Sequence, residues 1–275
     1  MPTVLAISSH VACGHVGLAA TVPALQWLGH QVWALPTVLL ASRPGLGRLA
    51  RHDVPPPDLA AMLAGLEADG CWGSLDAVLT GYFPSAASVA AAAGAVQRIR
   101  QAAPDIPVLV DPIVGDAGRL YVAETTAAAV RDELLPLATI ATPNRFELTW
   151  LTGTPSEAPV DAAAAARRLG PRTVVVTSAA ETAGSIATLA ITGEQTIARG
   201  APRRAGIPNG AGDLFAGLLL GHLLNGGDLG AALDRSLADL DRVLAASGGH
   251  DALNLAALHG DQGRRGNDCE RKPTP

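Results

Sequence analysis

Residues 106–116 read IPVLVDPIVGD. A continuous apolar run rich in β-branched side chains reads as a strand buried on both faces. Asp111 and Pro112 close it, since proline cannot continue the hydrogen-bonded ladder. Outward from this stretch the pattern repeats. Candidate strands fall at 3–8, 31–35, 76–80, 138–142, 173–177, 186–191 and 195–199. Candidate helices fall at 17–28, 57–68, 85–102, 124–134, 144–152, 161–169, 213–225, 229–246 and 251–258. Alternation of strand and helix implies parallel strands joined by right-handed crossovers, with helices covering both faces. The runs 186–191 and 195–199 follow each other directly and read as an antiparallel hairpin at a sheet edge.

The 275 residues suffice for one large α/β domain or two small ones. With no internal repeat and no linker, residues 1–258 read as a single domain. Residues 259–275 (HGDQGRRGNDCERKPTP) are polar and aperiodic and read as a disordered tail. Net charge is −5 without a basic cluster, which argues against nucleic acid or an anionic membrane as partner. The longest apolar helix candidate, 214–224, is far shorter than the ~20 residues of a membrane span. The start, MPTVLAISS, reads as a first strand and not as a signal peptide. Cys13, Cys71 and Cys269 lie far apart with no CxxC pair, which fits a reducing cytoplasm and no zinc site. The only lysine is Lys272, so no GxxxxGK[ST] phosphate loop exists.

In an open α/β sheet, ligands bind outside the carboxyl ends of the strands. The residues just past each predicted strand are therefore informative. They are Ser8-Ser9-His10, Gly81-Tyr82, Asp111-Pro112, Thr142-Pro143-Asn144 and Thr177-Ser178. Polar and turn-forming groups recur at this rim.

Four stretches carry chemistry. In PNGAGDLF (208–215), Gly210 and Gly212 allow a tight turn and close backbone approach to a ligand. The amides of Gly210, Ala211 and Gly212 then face outward at a helix N-terminus, where anions bind. Asp213 admits two readings, a helix-terminal charge or a general base facing whatever the amides hold. The two glycines favour the second, because a plain cap needs only one small polar residue. In VDPIVGD (110–116), Asp111 and Asp116 suit Mg²⁺, which takes few protein carboxylates and keeps water and phosphate ligands. The alternative is a turn residue and an ordinary loop. In TPNRFEL (142–148), Asn144 and Glu147 have capping-box spacing. In SHVACGHVG (9–17), His10 and His15 are five apart on a loop-to-helix junction and do not form a metal pair. No serine lies in a GxSxG turn.

Together these stretches resemble the pyridoxal kinases of the ribokinase-like superfamily. VLAISSHVACGHVG, LTGYFPSA (79–86), VDPIVGD, ATPNRFEL (141–148), VVVTSA (174–179) and PNGAGDLFAG (208–217) occur in that family's order and spacing over residues 3 to 258. The resemblance implies a three-layer α/β/α sandwich with a small antiparallel edge. It implies ATP-dependent phosphorylation of the 5′-hydroxymethyl group of pyridoxal. Asp213 would be the base, and Gly210, Ala211 and Gly212 the anion hole. Ser9, Val16, Pro44 and Tyr82 would line the pyridine site with Asp213. Asp111, Thr142, Asn144, Glu147, Thr177 and Ser178 would surround ATP with Gly210 and Gly212. Mg²⁺ would lie among Asp111, Asp116, Thr142 and Glu147, with K⁺ or Na⁺ near Thr142 and Thr177. A cytoplasmic homodimer is implied. The absent lysine fits, because this superfamily uses no phosphate-loop lysine.

One segment departs from the family pattern. After Thr37-Val38 the family shows Asn-His before Thr or Pro and then Gly; here Ser42-Arg43 precede Pro44-Gly45. Arginine is long and always charged, unlike histidine. Phe83-Pro84 also replaces a more usual glycine after the aromatic. A kinase for hydroxymethylpyrimidine or a sugar, and a weakly active pyridoxal-binding relative, are the alternative readings.

Overall fold

The computed structural model describes residues 1–43 and 50–264. In chain order it builds β1 (Thr3–Cys13), α1 (Leu18–Trp27), β2 (Gln31–Ser42), β3 (Arg51–Asp53) and α2 (Pro56–Ala68). Then come β4 (Ala77–Thr80), α3 (Ala86–Ala102), β5 (Val108–Val110), β6 (Gly115–Asp116), β7 (Arg119–Leu120) and α4 (Glu124–Ala129). β8 (Ile140–Ala141), α5 (Arg145–Thr152), α6 (Pro159–Arg168), β9 (Thr173–Glu181), β10 (Ser185–Ile191) and β11 (Thr196–Pro202) follow. The last long elements are α7 (Ala211–Leu224) and α8 (Leu229–Ser247).

Nine strands form one sheet in the order β11-β10-β9-β8-β5-β4-β1-β2-β3. The pairs from β9 through β8, β5, β4 and β1 to β2 are parallel. Antiparallel strands close both edges: β10 and β11 at one end, β3 at the other. Helices cover both faces, and period-2 alternation decides which side chain goes where. On β1, Leu5 and Ile7 pack toward α2 and α3, with Leu59, Leu63, Val89 and Ile99. Val4 packs on the opposite face with Leu25, Phe215, Leu219 and Leu233 of α1, α7 and α8. On β9, Val175 joins that second face while Val174 and Val176 pack against α6. Both faces are buried, so the central strands read as unbroken apolar runs.

Several boundaries differ from the sequence reading. β1 continues through Ser9 and His10 to Cys13, and its register against β2 shifts between Ser8 and His10. His10 therefore sits on a strand, not on a loop-to-helix junction. β2 runs past residue 35 to Ser42 because it has β1 on one side and β3 on the other. Asp116 is not in an open loop: Gly115–Asp116 and Arg119–Leu120 form a hairpin turned by Ala117 and Gly118 at positive φ. The single helix over 124–134 is α-helical only to Ala129 and is a π-turn from Val130 to Leu134. A 3₁₀ segment over Leu255–Arg264, kinked at Gly260, replaces the helix 251–258 and includes the start of the expected tail. The rest of that tail, 265–275, lies outside the described residues.

The packing of α1 on α7 positions the site. Gly217 faces Thr21 and Ala24, and Gly221 faces Leu28 and His30. Without side chains at these two helical positions, one turn apart, the helices approach closely. A Cβ on Gly217 would lie 3.0 Å from the Thr21 carbonyl oxygen. Gly217→Val should therefore cost about 1–3 kcal/mol of stability through overpacking. Urea unfolding checks it, and an unmoved midpoint with unchanged slope would contradict this contact.

Candidate active site

The N-terminus of α7 is left open. Gly210 occupies its N-cap at φ 107°, and no side chain caps the first turn. The amides of Ala211 and Gly212 thus have no side-chain cap and lie at the positive end of the helix dipole. Gly210 is required twice over: its φ is left-handed, and a Cβ there would run into the His15 carbonyl oxygen.

Asp213 stands in this first turn and is only 8% exposed. Its carboxylate accepts the backbone N–H of Gly17 and its own N–H. Burial outweighs these bonds and pushes its pKa up to about 6. Gly17 is itself at positive φ and lies directly against Ser9, which is buried at the register shift of β1. Ser9, Gly17 and Asp213 thus form one contiguous wall, and Val16 stands between Gly17 and the His15 that touches Gly210.

The wall continues to Tyr82. Ser8 Oγ accepts the Tyr82 N–H at 3.0 Å, and Thr37 Oγ1 donates to the Tyr82 carbonyl at 2.8 Å. These bonds fix the Tyr82 backbone with its ring half-buried. Arg51 of β3 bonds Asp53 at 2.5 Å and contacts the Tyr82 side chain, and both hold its pKa above the usual value. Arg43, at the end of β2, turns toward the segment after α8 and donates Nε–H to the Asp251 carbonyl at 2.8 Å. Pro44 lies outside the described residues.

Facing α7 is a second acidic group. Asp111, just past β5, accepts the Thr142 hydroxyl at 2.9 Å. Burial, then repulsion from Asp213, push its pKa up to about 8. Glu147 completes a capping box with Asn144: it accepts the Asn144 N–H at 2.9 Å and Asn144 Oδ1 accepts its N–H at 2.8 Å. Glu147 Oε1 also faces the Val114 N–H at 3.1 Å and the Gly115 N–H at 3.4 Å. Burial and the charge of Asp111 hold its pKa well above the usual carboxylate range despite these donors. Thr177 joins this group by donating its N–H to the Pro143 carbonyl at 3.0 Å. Ser178 beside it is held at φ 50°, where a side chain costs roughly 1–2 kcal/mol.

The sequence candidates therefore converge in two sets. Ser9, Val16, Tyr82, Asp213 and the turn 210–212 form one wall. Asp111, Thr142, Asn144, Glu147, Thr177 and Ser178 form the other. Asp116 is exposed in the hairpin, where it accepts the Ala117 N–H at 2.7 Å. Among the described residues, no three His, Cys, Asp or Glu side chains are grouped to hold a metal ion. Glu147 is already occupied by backbone donors and Asp111 by Thr142. Such a donor set fits a cation that takes most of its ligands from phosphate and water, as Mg²⁺ does. Two buried carboxylates, Asp111 and Glu147, both costly to ionise, would supply the attraction. Sequence reasoning missed Gly17 as the donor to Asp213, the amides of Val114 and Gly115, and Arg51. It also missed Tyr121, whose pKa is raised by burial and by the charges of Asp116 and Glu147. The glycine of GHVG was the one available signal for Gly17.

Residues 77–238 match the pfkB family carbohydrate kinase. The chain is 39% identical over 273 residues to pyridoxal kinase PdxY of Deinococcus radiodurans, covering 94% of this chain and 92% of that one. The chain belongs to the pyridoxal kinase family. It is also similar to the crystal structure of pyridoxal kinase from Entamoeba histolytica, with TM-score 0.88 and 28% identity, over 94% of this chain and 96% of that one. Pyridoxal kinase from Leishmania donovani in complex with ADP and pyridoxamine is similar too. Its TM-score is 0.85 at 30% identity, covering 94% of this chain and 92% of that one. The family accounts for the mostly parallel sheet and for the order of the rim motifs along the chain.

The raised pKa of Asp111 has a measurable consequence in ligand-free protein. Its folded pKa, about 8, exceeds the unfolded value of 3.8, so the unfolded chain loses this proton first. Asp111 therefore stabilises the fold below the unfolded pKa, and that stability is lost as pH rises through about 8. Asp111→Asn keeps an acceptor for Thr142 and removes this dependence. Its stability relative to the parent should rise between pH 5 and 8.5 in urea titrations. A difference that stays flat or reverses would contradict the burial of this carboxylate.

Proposed function

We propose that this chain phosphorylates the 5′-hydroxymethyl group of pyridoxal with ATP, giving pyridoxal 5′-phosphate in vitamin B6 salvage, with Asp213 as the base. The observation that carries the assignment of the base is its buried carboxylate in the first turn of an uncapped helix. A pKa of about 6 leaves Asp213 ionised at neutral pH yet a better proton acceptor than an ordinary aspartate. The N–H groups of Gly17 and of Asp213 itself hold the carboxylate in the first turn.

The alcohol would rest along the wall of Ser9, Val16 and Tyr82, with its hydroxymethyl oxygen at Asp213. As that oxygen bonds to the γ-phosphorus, its proton passes to Asp213 and the bond from γ-phosphorus to the bridging oxygen breaks, releasing ADP. The amides of Ala211 and Gly212 and the α7 dipole face the charge on the transferred group. Phosphoryl transfer depends mainly on such positioning and charge stabilisation. Asp111, Thr142 and Glu147 would hold Mg²⁺ largely through water, and the ion would supply charge neutralisation at the phosphates. Asp116 would reach it only through solvent. K⁺ or Na⁺ would take oxygen donors near Thr142 and Thr177. Thr177 and Ser178 would line the nucleotide path with Asn144. Among the described residues no helix is long and apolar enough to cross a membrane. A cytoplasmic homodimer completes the reading.

ATP turnover with pyridoxal, pyridoxine, pyridoxamine and hydroxymethylpyrimidine tests the acceptor. Pyridoxal should raise ADP release above background; preference for hydroxymethylpyrimidine or a sugar would reassign the substrate. Asp213→Asn should lower kcat for pyridoxal by roughly 10²–10⁴-fold. Unaltered turnover in that variant would remove Asp213 as the base. In the parent enzyme, kcat/KM should fall as pH drops below about 6, where Asp213 becomes protonated. A profile flat down to pH 5 would contradict the same assignment.

A further inference from the structure

Where the resemblance leads one to expect histidine, this chain has Arg43, and its side chain reaches Asp251 in the segment after α8. It donates Nε–H to the Asp251 carbonyl at 2.8 Å, and its terminal nitrogen lies 3.7 Å from the Asp251 carboxylate. The Arg43 side chain is only 17% exposed, against 87% for that of Asp251. The exposed carboxylate adds little. The directional bond to the backbone carbonyl is what matters.

The loop that Arg43 grips is anchored by two hydrogen bonds to Ser247. The Asn254 N–H donates to Ser247 Oγ at 2.8 Å, and the His250 N–H donates to the Ser247 carbonyl at 3.1 Å. Between these anchors, buried Leu253 reaches the phosphate cradle: its Cδ1 lies 3.3 Å from where a Cβ on Gly210 would stand. Gly210 in turn meets the His15 carbonyl. β1, which leads into the His15 loop, pairs with the end of β2 through Cys13 and Ser42. The contacts thus close a ring: β2 end, Arg43, Asp251, Leu253, Gly210, His15, β1 and back to β2. The other links are backbone pairing, chain connectivity or packing. The Arg43 link is a side-chain hydrogen bond and can open without unfolding an element.

We propose that Arg43 is a positioning residue that couples the alcohol side of the site to the phosphate side, by tying the end of β2 to the loop that backs Gly210. The inference rests on the kinase reading above. A ligand against β1 and one against Gly210 each load the ring that this bond closes, so each strengthens binding of the other by the same factor. Removing Arg43 cuts this coupling and leaves the separate contacts of each ligand in place.

The test is calorimetric binding of pyridoxal to the full chain, with and without a saturating non-hydrolysable ATP analogue and Mg²⁺. The ratio of the two dissociation constants is the coupling factor. In the parent protein it should be about fivefold or more. Arg43→Ala should bring it close to one, while pyridoxal affinity without nucleotide moves less than about twofold. Asp251→Ala keeps the backbone carbonyl and should keep most of the coupling. A coupling factor unchanged by Arg43→Ala would overturn the proposal. So would absence of coupling in the parent, or equal weakening of pyridoxal with and without nucleotide. A parallel turnover assay on the parent separates the two readings. Failure to phosphorylate pyridoxal counts against the proposed function, whereas normal turnover with undiminished coupling in Arg43→Ala counts against the ring alone.

Discussion

The backbone N–H of Gly17 holds the carboxylate of Asp213, and the site is arranged around that bond. It joins two parts of the chain nearly two hundred residues apart. It exists because α1 and α7 meet through Gly217 and Gly221, which bring the start of one helix to the start of the other. Thr21 Oγ1 reinforces the junction by donating to the Asp213 carbonyl at 3.1 Å. The loop 14–17 then presses on Gly210 and Ser9, so the glycine turn of α7 and the wall at Ser9 share one support. A shift of either helix would move Asp213 and that turn together, which suits the positional demands of the proposed reaction.

The electrostatics follow from the same burial. Asp213, Asp111 and Glu147 are all buried, and burial raises the pKa of each. Glu147 is offset by three backbone donors, and Asp111 by a single hydroxyl. Asp111 thus has the fewest compensating donors of the three. A cation held there, as proposed above, would take the rest of its coordination from phosphate and water. The single lysine of the chain is Lys272, in its tail.

The sheet was legible in the sequence because its central strands are buried on both faces, and runs such as VLV (108–110) and VVV (174–176) have no other use. The edges were less legible. β3 consists of three exposed residues, Arg51–Asp53, held by pairing with β2, and carries no apolar signal. The extension of β1 to Cys13 was hidden because Ser9 and His10 look like a strand end, whereas the register shift carries the strand through them. The Asn144–Glu147 box was readable from local spacing alone, whereas spacing placed Asp213 and the glycine turn at a helix start and left the role of Asp213 open. Gly17, Arg51 and the Arg43–Asp251 bond were not readable. Each acts on a partner distant in sequence, and pairing of that kind leaves no periodic trace. Asp116 shows the converse: its spacing from Asp111 suggested a shared ligand role, but the intervening hairpin turns it toward solvent.

The account stands or falls on whether an alcohol and a terminal phosphate meet at the first turn of α7. A crystal structure of the full chain with pyridoxal, Mg²⁺ and a non-hydrolysable ATP analogue tests this most directly. The 5′-oxygen should lie within hydrogen-bonding distance, about 2.6–3.2 Å, of the Asp213 carboxylate. The terminal phosphate should accept from the amides of Ala211 and Gly212. A 5′-oxygen turned away from Asp213, or a phosphate seated away from that turn, would contradict the central claim.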